Sequence, residues 1–326
     1  MRPRFFFNIM ERIQDLTRTT PLWRITRKSL AWISLSRPPF HTVGILPFCL
    51  GTYLAWKTDG IFLESVFFLG VLAVFLILLS TYHAGEYFDY KEDAFSKAKF
   101  NSRFSGGSGI MPTQILARRI PLVTSIVAIL LAGGVGVVLQ FVYHTGPYTL
   151  LLGCLWALSG FFYSTKPLRL VERGCGELFI AFCYGWLPVA TAFYLQTGYF
   201  HPLVHWISPP IALTIFNVIL LNEFPDYEAD KAVGKRNLLV RLGWEKGMLL
   251  FITVSVAAWI TIFASIYGGV PLKVLHVYVP VFFISLLSLF LIFRNWHQKP
   301  ETLEILCGMN IAVNLGTTGA FIYALA

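Results

Sequence analysis

Predominantly apolar stretches of about twenty residues recur along almost the whole chain, and few folds accommodate that pattern. A helix needs roughly twenty apolar residues to cross the hydrocarbon core of a bilayer. Runs of that kind fall at about 39–57, 63–83, 119–142, 147–164, 176–197, 207–224, 248–268, 275–293 and 304–325. Only 13% of the 326 residues are charged, about half the share in a soluble domain. The alternating ten-residue strands of a membrane barrel are absent. The sequence therefore predicts an all-α, polytopic membrane protein with nine transmembrane helices.

The basic residues predict its orientation. Of the 26 Lys and Arg, 24 precede the first run or follow an even-numbered one, leaving only Lys57 and Lys273 opposite. Lys and Arg accumulate in cytoplasmic loops, so the N-terminus and even-numbered exits are expected in the cytoplasm and the C-terminus outside. The same rule explains the net charge of +9 without a nucleic-acid partner. Residues 1–35 are basic and aromatic and lack a cleavage pattern. They are expected to form a cytoplasmic, amphipathic segment at the membrane surface, with 36–326 as a single transmembrane domain. Cys49, Cys154, Cys175, Cys183 and Cys307 form no C-x-x-C pair and read as small core residues.

Against this background stand two matching acidic clusters, "EYFDYKED" from Glu86 and "EFPDYEAD" from Glu223, each Glu-x-x-Asp-Tyr-x-x-Asp. One follows the second run and the other ends the sixth, on the same side. An offset of four spans preserves orientation, so the chain reads as two parallel four-helix halves plus a ninth helix. On a helix, positions i, i+3 and i+7 fall within a sector of roughly 60°. Glu86, Asp89 and Asp93 would then share one face, as would Glu223, Asp226 and Asp230. A single cluster of this kind is ordinarily a solvated helix end. Two in register, facing one cavity, call for a cation, and oxygen-only ligands favour Mg2+ or Ca2+. Mg2+ commonly bridges one or two carboxylates to phosphate oxygens, so the pattern suits a diphosphate held through magnesium.

Basic loops on the same side can complete such a site: "KPLRL" with Lys166 and Arg169, "KAVGKRN" with Lys231, Lys235 and Arg236, and the glycine-rich "RFSGGSG" that begins at Arg103. Backbone N–H groups of a glycine loop can face an anion, although this one matches neither the Walker nor the dinucleotide pattern. Each is ordinary alone, because cytoplasmic loops are basic anyway.

With these residues in place, the chain resembles the UbiA-type intramembrane aromatic prenyltransferases over almost its full length. "SRPPFHTVGILPFCLGTY" is similar to the family's Arg-Pro start of the first span. "FSGGSG", "YSTKPLRL" and "RGCGELFIAFCYG" resemble loops and a span of a menaquinone-type branch. "NEFPDYEADKAVGKRNLLVRLG" resembles the second acid motif. The first motif departs from the pattern: asparagines usually stand where Tyr82 and Gly85 lie, and Glu86 replaces the first Asp, whereas the second keeps Asn222.

The resemblance implies a nine-helix fold with a cavity open to the bilayer and Mg2+-dependent transfer of a polyprenyl group from its diphosphate. The pattern is nearest the 1,4-dihydroxy-2-naphthoate prenyltransferases of menaquinone synthesis, in a bacterial or archaeal cytoplasmic membrane. It implies Asp89, Asp93, Asp226 and Asp230 as catalytic ligands of Mg2+, helped by Glu86, Asn222 and Glu223. The basic residues above and Tyr163 would bind diphosphate, and Phe88, Phe162 and Tyr163 would flank the allylic cation. Other acceptors remain open: 4-hydroxybenzoate, a haem or chlorophyll precursor, or a glycerol phosphate lipid. A transporter is the alternative from another class, disfavoured because the acids sit at one face of the membrane. His201 and His205 read as loop residues, His83 as a neutral core histidine, and Glu177 as a polar contact at the start of the fifth span.

Overall fold

The structure is a computed structural model that describes residues 21–99, 104 and 107–326. Arg103 and most of the basic N-terminal segment lie outside the described residues. The remainder is helical throughout: α1 (Pro21–Leu35), α2 (Pro38–Asp59), α3 (Glu64–Phe88), α4 (Tyr90–Lys99), α5 (Arg119–Phe141) and α6 (Thr149–Ser164). Then follow α7 (Gly176–Thr197), α8 (Pro202–Glu223), α9 (Tyr227–Ala232), α10 (Leu238–Leu242), α11 (Trp244–Tyr267), α12 (Lys273–Phe293) and α13 (Pro300–Leu325).

Local chemistry sets the boundaries. Pro38, Pro202 and Pro300 open their helices, where the missing N–H costs nothing. Gly60 and Gly198 close α2 and α7 with φ of 70° and 81°, a left-handed turn that suits glycine.

A helix stands at each of the nine expected positions, yet among the described residues seven are long and apolar enough to cross a membrane: α3, α5, α7, α8, α11, α12 and α13. The other two differ for physical reasons. With 16 residues, α6 is about 24 Å long, short of a hydrocarbon core of about 30 Å. α2 has the length, but Pro38, Pro39, His41, Pro47 and Thr52 dilute its apolar character.

The most enclosed helix is α7. It is reached by close backbone approach on two sides. A Cβ at Gly51 of α2 would overlap the Val189 carbonyl, and one at Gly185 would overlap Ala212 of α8. With no hydrophobic drive between helices in lipid, such small-residue crossings let van der Waals contact do the work. α7 also carries a π-helical turn, Phe182–Trp186, a distortion that recurs at functional sites. α3 packs against α5, and α8 against α11.

α1 docks on this bundle through Ala31 and Leu35, which pack with Ile110, Met111 and Leu116. Trp32 Nε1 donates to Thr124 Oγ1 at 3.2 Å. Ser36 Oγ donates to the Trp32 carbonyl and lies 3.0 Å from His83 Nε2, so His83 is a buried interhelical contact.

The crossings give a direct test. Gly185→Val should destabilise the detergent-solubilised protein by about 1–3 kcal/mol through overpacking. Gly133→Val, where an added Cβ meets nothing within 4 Å, should change stability by less than about 0.5 kcal/mol. Thermal unfolding of both variants checks this.

Candidate active site

Both acidic motifs straddle a break between helices. α3 ends at Phe88 and α4 begins at Tyr90, with Asp89 between them. The helical ladder nevertheless continues, since Asp89 N donates to Gly85 O at 2.8 Å and Asp93 N to Asp89 O at 2.9 Å. α8 stops at Glu223, ahead of Pro225, which has no N–H to give, and Asp226 becomes the N-cap of α9. The single helical face expected for each motif is therefore a face carried across a turn. All six acids still line one cavity of about 200 Å³, together with Asn222.

Protein donors already meet much of this charge. Glu86 accepts from Ser108 N at 2.5 Å and Ser108 Oγ at 2.8 Å. Asp89 accepts from Ser164 Oγ at 2.5 Å and from Arg169 at 3.4 Å. Asp230 is held by Lys235 Nζ at 3.2 Å and Asn237 Nδ2 at 2.8 Å. Glu223 accepts from Leu239 N at 3.3 Å. Asp93 lies under Gly107, whose φ is 64° and where a Cβ would collide with the Asp93 carboxylate.

The basic residues predicted from sequence divide sharply. Lys235 lines the cavity. Arg169 reaches its edge, pairing with Glu92 at 2.7 Å and Glu172 at 3.2 Å as well as with Asp89. Lys166, Lys231 and Arg236 are exposed and stand outside the cavity wall; Lys231 lies over the Tyr227 ring at 5.8 Å. Sequence reasoning missed Arg37, which lines the cavity, donates to Phe104 O at 3.2 Å and stacks over Phe40 at 4.7 Å. Arg37 and Arg169 both hold left-handed backbone, φ 48° and 44°, which non-glycine residues adopt rarely and mostly where function or packing enforces it.

Tyr163 lines the cavity as expected, whereas Phe88 and Phe162 do not. Their place is taken by Phe40, Tyr82 and Tyr184, with Ile215 and Val218 adding an aliphatic wall. Tyr82 OH donates to the Phe40 carbonyl at 2.9 Å and is 3.4 Å from Tyr184 OH. Tyr184 stands in the π-turn, a signal invisible to periodicity. Asn237 was detectable, since an Asn before an apolar run marks a helix start, and its Oδ1 does accept from Val240 N at 2.8 Å. His205 lies within α8 and not in a loop, and His201 is that helix's N-cap; both are occupied, His201 accepting from Leu203 N and His205 from Trp186 Nε1, each at 3.1 Å.

Burial dominates the electrostatics outside the spans. It raises the Asp89 carboxyl above the usual range, against the pull of Lys235, Ser164 and Arg169. Asp93 is raised further by burial and by the neighbouring Asp89 and Glu86. Asp230 is pushed up to about 6, chiefly by burial, with Lys235 opposing. Burial works against the Lys235 ammonium too, but Asp230, Asp89 and Asp226 outweigh it and hold the lysine charged.

Among the described residues no three carboxylate, imidazole or thiol groups converge closely enough to hold a metal ion by themselves. The donor set nevertheless fits a hard cation. Asn222 Oδ1 and Glu223 Oε1 are buried without a hydrogen-bond partner, in the wall that also carries Asp93 and Asp226. An all-oxygen set that leaves positions for a ligand's own oxygens is what Mg2+ takes.

Comparison with known proteins agrees with this geometry. The sequence profile of the UbiA prenyltransferase family matches residues 45–313. A 1,4-dihydroxy-2-naphthoate octaprenyltransferase of Bacillus subtilis is 27% identical over 240 residues, 72% of this chain and 73% of its own. A 2-carboxy-1,4-naphthoquinone phytyltransferase of Synechocystis is 26% identical over 250 residues, 74% and 76% of the two chains. The structure of a UbiA homolog from Archaeoglobus fulgidus bound to GPP and Mg2+ superposes with a TM-score of 0.64 at 17% identity, covering 90% of this chain and 99% of that one.

The raised Asp230 value has a consequence with a definite sign. A cation binding there displaces a proton below about pH 6, and the raised Asp89 and Asp93 carboxyls act in the same direction. Affinity for Mg2+ should weaken as pH falls through 6, by about tenfold per unit for each displaced proton. Calorimetric titration of Mg2+ at several pH values measures it.

Proposed function

The chain belongs to the UbiA prenyltransferase family, and from that premise we propose that it transfers a polyprenyl group from its diphosphate to an aromatic acceptor of the 1,4-dihydroxy-2-naphthoate type. The observation that carries the reading is the make-up of one cavity wall: both acid motifs and Lys235, and with them Tyr82, Tyr163, Tyr184, Ile215 and Val218. A diphosphate needs the first and an allylic chain with an aromatic partner needs the second. The naphthoate acceptor is favoured by the relatives named above, which act on bicyclic aromatic acids by name. The protein would cross the membrane nine times, in two four-helix halves and a ninth helix, with its N-terminus and cavity mouth in the cytoplasm.

Asp89, Asp93, Asp226 and Asp230, with Asn222 and Glu223, would hold Mg2+, which when bound supplies positive charge against the departing diphosphate. Glu86 has a different part, because Ser108 already occupies both of its oxygens; it fixes the segment that covers Asp93. Lys235 and Arg37 are the cations of the described cavity wall and would neutralise diphosphate oxygens as charge develops. The allylic C–O bond breaks with its electron pair leaving on oxygen. The acceptor ring then supplies the pair for the new C–C bond and restores aromaticity by releasing a proton or carbon dioxide. Faces of Tyr163, Tyr82 and Tyr184 would stabilise the allylic cation, and the aliphatic wall would keep water from it.

Purified protein incubated with Mg2+, a radiolabelled polyprenyl diphosphate and a panel of aromatic acceptors should prenylate the dihydroxynaphthoate. Prenylation of 4-hydroxybenzoate or a glycerol phosphate instead would overturn the acceptor assignment. Asp89→Ala and Asp226→Ala should each lower turnover by at least about 10²–10³-fold while still inserting into the membrane.

A further inference from the structure

The short helix α10 has five residues, too few to hold itself in water or lipid. Its first three amides, which no intrahelical carbonyl can serve, are each taken by a side chain, two from distant helices and one from its own N-cap. Leu238 N donates to Glu177 Oε1 of α7 at 2.9 Å. Leu239 N donates to Glu223 Oε2 of α8 at 3.3 Å. Val240 N donates to the N-cap Asn237 at 2.8 Å. Glu177 is completely buried, and an ionisable group at that depth is costly without a use.

What this anchors is the segment between Asp230 and α10. Lys235 N donates to Asp230 O at 2.9 Å, and the side chains of Lys235 and Asn237 both reach the Asp230 carboxylate. Displacing the start of α10 would pull both away together. We propose that Glu177 is a positioning residue: from α7 it clamps α10 so that Lys235 and Asn237 stay on Asp230 and the polar end of the cavity is preassembled for a metal–diphosphate ligand. The proposal rests on reading the cavity as a magnesium–diphosphate site. Glu177 itself is not part of the cavity wall, so its effect is exerted through the backbone of α10.

The chemistry of the pair predicts which substitutions are tolerated. Glu177 and Glu223 contact each other, and Glu177 Oε2 and Glu223 Oε1 have no donor in the protein. A glutamine at 177 keeps the acceptor for Leu238 N and can donate to Glu223, so the clamp survives. A leucine removes it. Leu238→Pro removes the opposite partner: proline suits the first helical position, and Asn237, with φ −62° and ψ 175°, already has the extended backbone a following proline requires.

The full-length protein in nanodiscs is tested with Glu177→Gln, Glu177→Leu and Leu238→Pro. Hydrogen exchange of the Leu239 and Val240 amides reads the clamp, and calorimetric binding of Mg2+ with inorganic diphosphate reads the site. Glu177→Leu and Leu238→Pro should both accelerate exchange and weaken binding by about tenfold, while Glu177→Gln stays within about threefold of the parent. If Glu177→Leu fails to fold, Leu238→Pro carries the same expectation. Parent-like exchange and binding in Leu238→Pro, or a loss in Glu177→Gln equal to that in Glu177→Leu, would overturn the proposal. If exchange responds as expected but the parent protein binds no Mg2+ and diphosphate, the clamp stands and the reading of the cavity fails.

Discussion

A carboxylate at the end of an apolar bundle is tolerated only where a donor or a cation replaces the water it has lost. That requirement determines how the polar end of this protein is assembled. Glu86 holds Ser108, Asp89 holds Ser164 and Arg169, Asp230 holds Lys235 and Asn237, and Glu177 and Glu223 hold α10. Nearly every partner comes from a different element. The acids are therefore the points at which helices distant in sequence are registered against one another. A charge-assisted hydrogen bond contributes about 1.5–3 kcal/mol, and orphaning a buried charge costs at least as much. Loss of one partner thus disturbs the rest of the network more than the single bond would suggest.

The apolar part of the bundle answers to a different constraint. Lipid offers no hydrophobic reward for bringing helices together, so contact area and close approach decide which helices lie inside. Gly51 and Gly185 let α2 and α8 close on α7 from two sides, and α7 is consequently the helix best shielded from lipid. The π-turn within it carries Tyr184, which lines the same cavity as the acids. Position and chemistry are coupled there. The helix with the tightest packing also carries the carboxyl of Glu177 at its start and the phenol of Tyr184 about two turns further on.

Long-range order was legible in the sequence because it is written in composition. Apolar length located the helices, and the two Glu-x-x-Asp-Tyr-x-x-Asp clusters marked the ends that meet. What composition cannot carry is the direction of a single side chain. Lys231, Lys235 and Arg236 look alike in a basic loop, yet only Lys235 turns inward, because Gly234 takes a left-handed backbone of φ 79° and Asp230 waits five residues earlier. Arg37 stands in the Arg-Pro motif, but its left-handed backbone is not visible in a residue pattern. Phe88 and Phe162 lie outside the cavity, which draws Phe40, Tyr82, Tyr163 and Tyr184 from four separate helices. Spans show the same limit: α6 is apolar but short, and hydropathy alone does not separate the two.

The two acid motifs are alike in sequence and unlike in state. In the first, a Cβ at Gly85 would lie 3.7 Å from Ser164 Oγ and 3.9 Å from Asp89 Oδ2, an ordinary distance that leaves room for a side chain. The polar contact that an asparagine there would make is supplied instead by Ser164, which donates to Asp89 from α6. With Glu86 on Ser108 and Asp89 on Ser164 and Arg169, the first motif is largely committed to protein partners. In the second, Asn222 Oδ1 and Glu223 Oε1 remain unpartnered. Unsatisfied buried oxygens are costly unless a ligand completes them, so the two motifs differ in how far the protein itself satisfies them. With glycine at 85, the donor on Asp89 comes from another helix, and two clusters that the sequence writes almost identically are satisfied by different means.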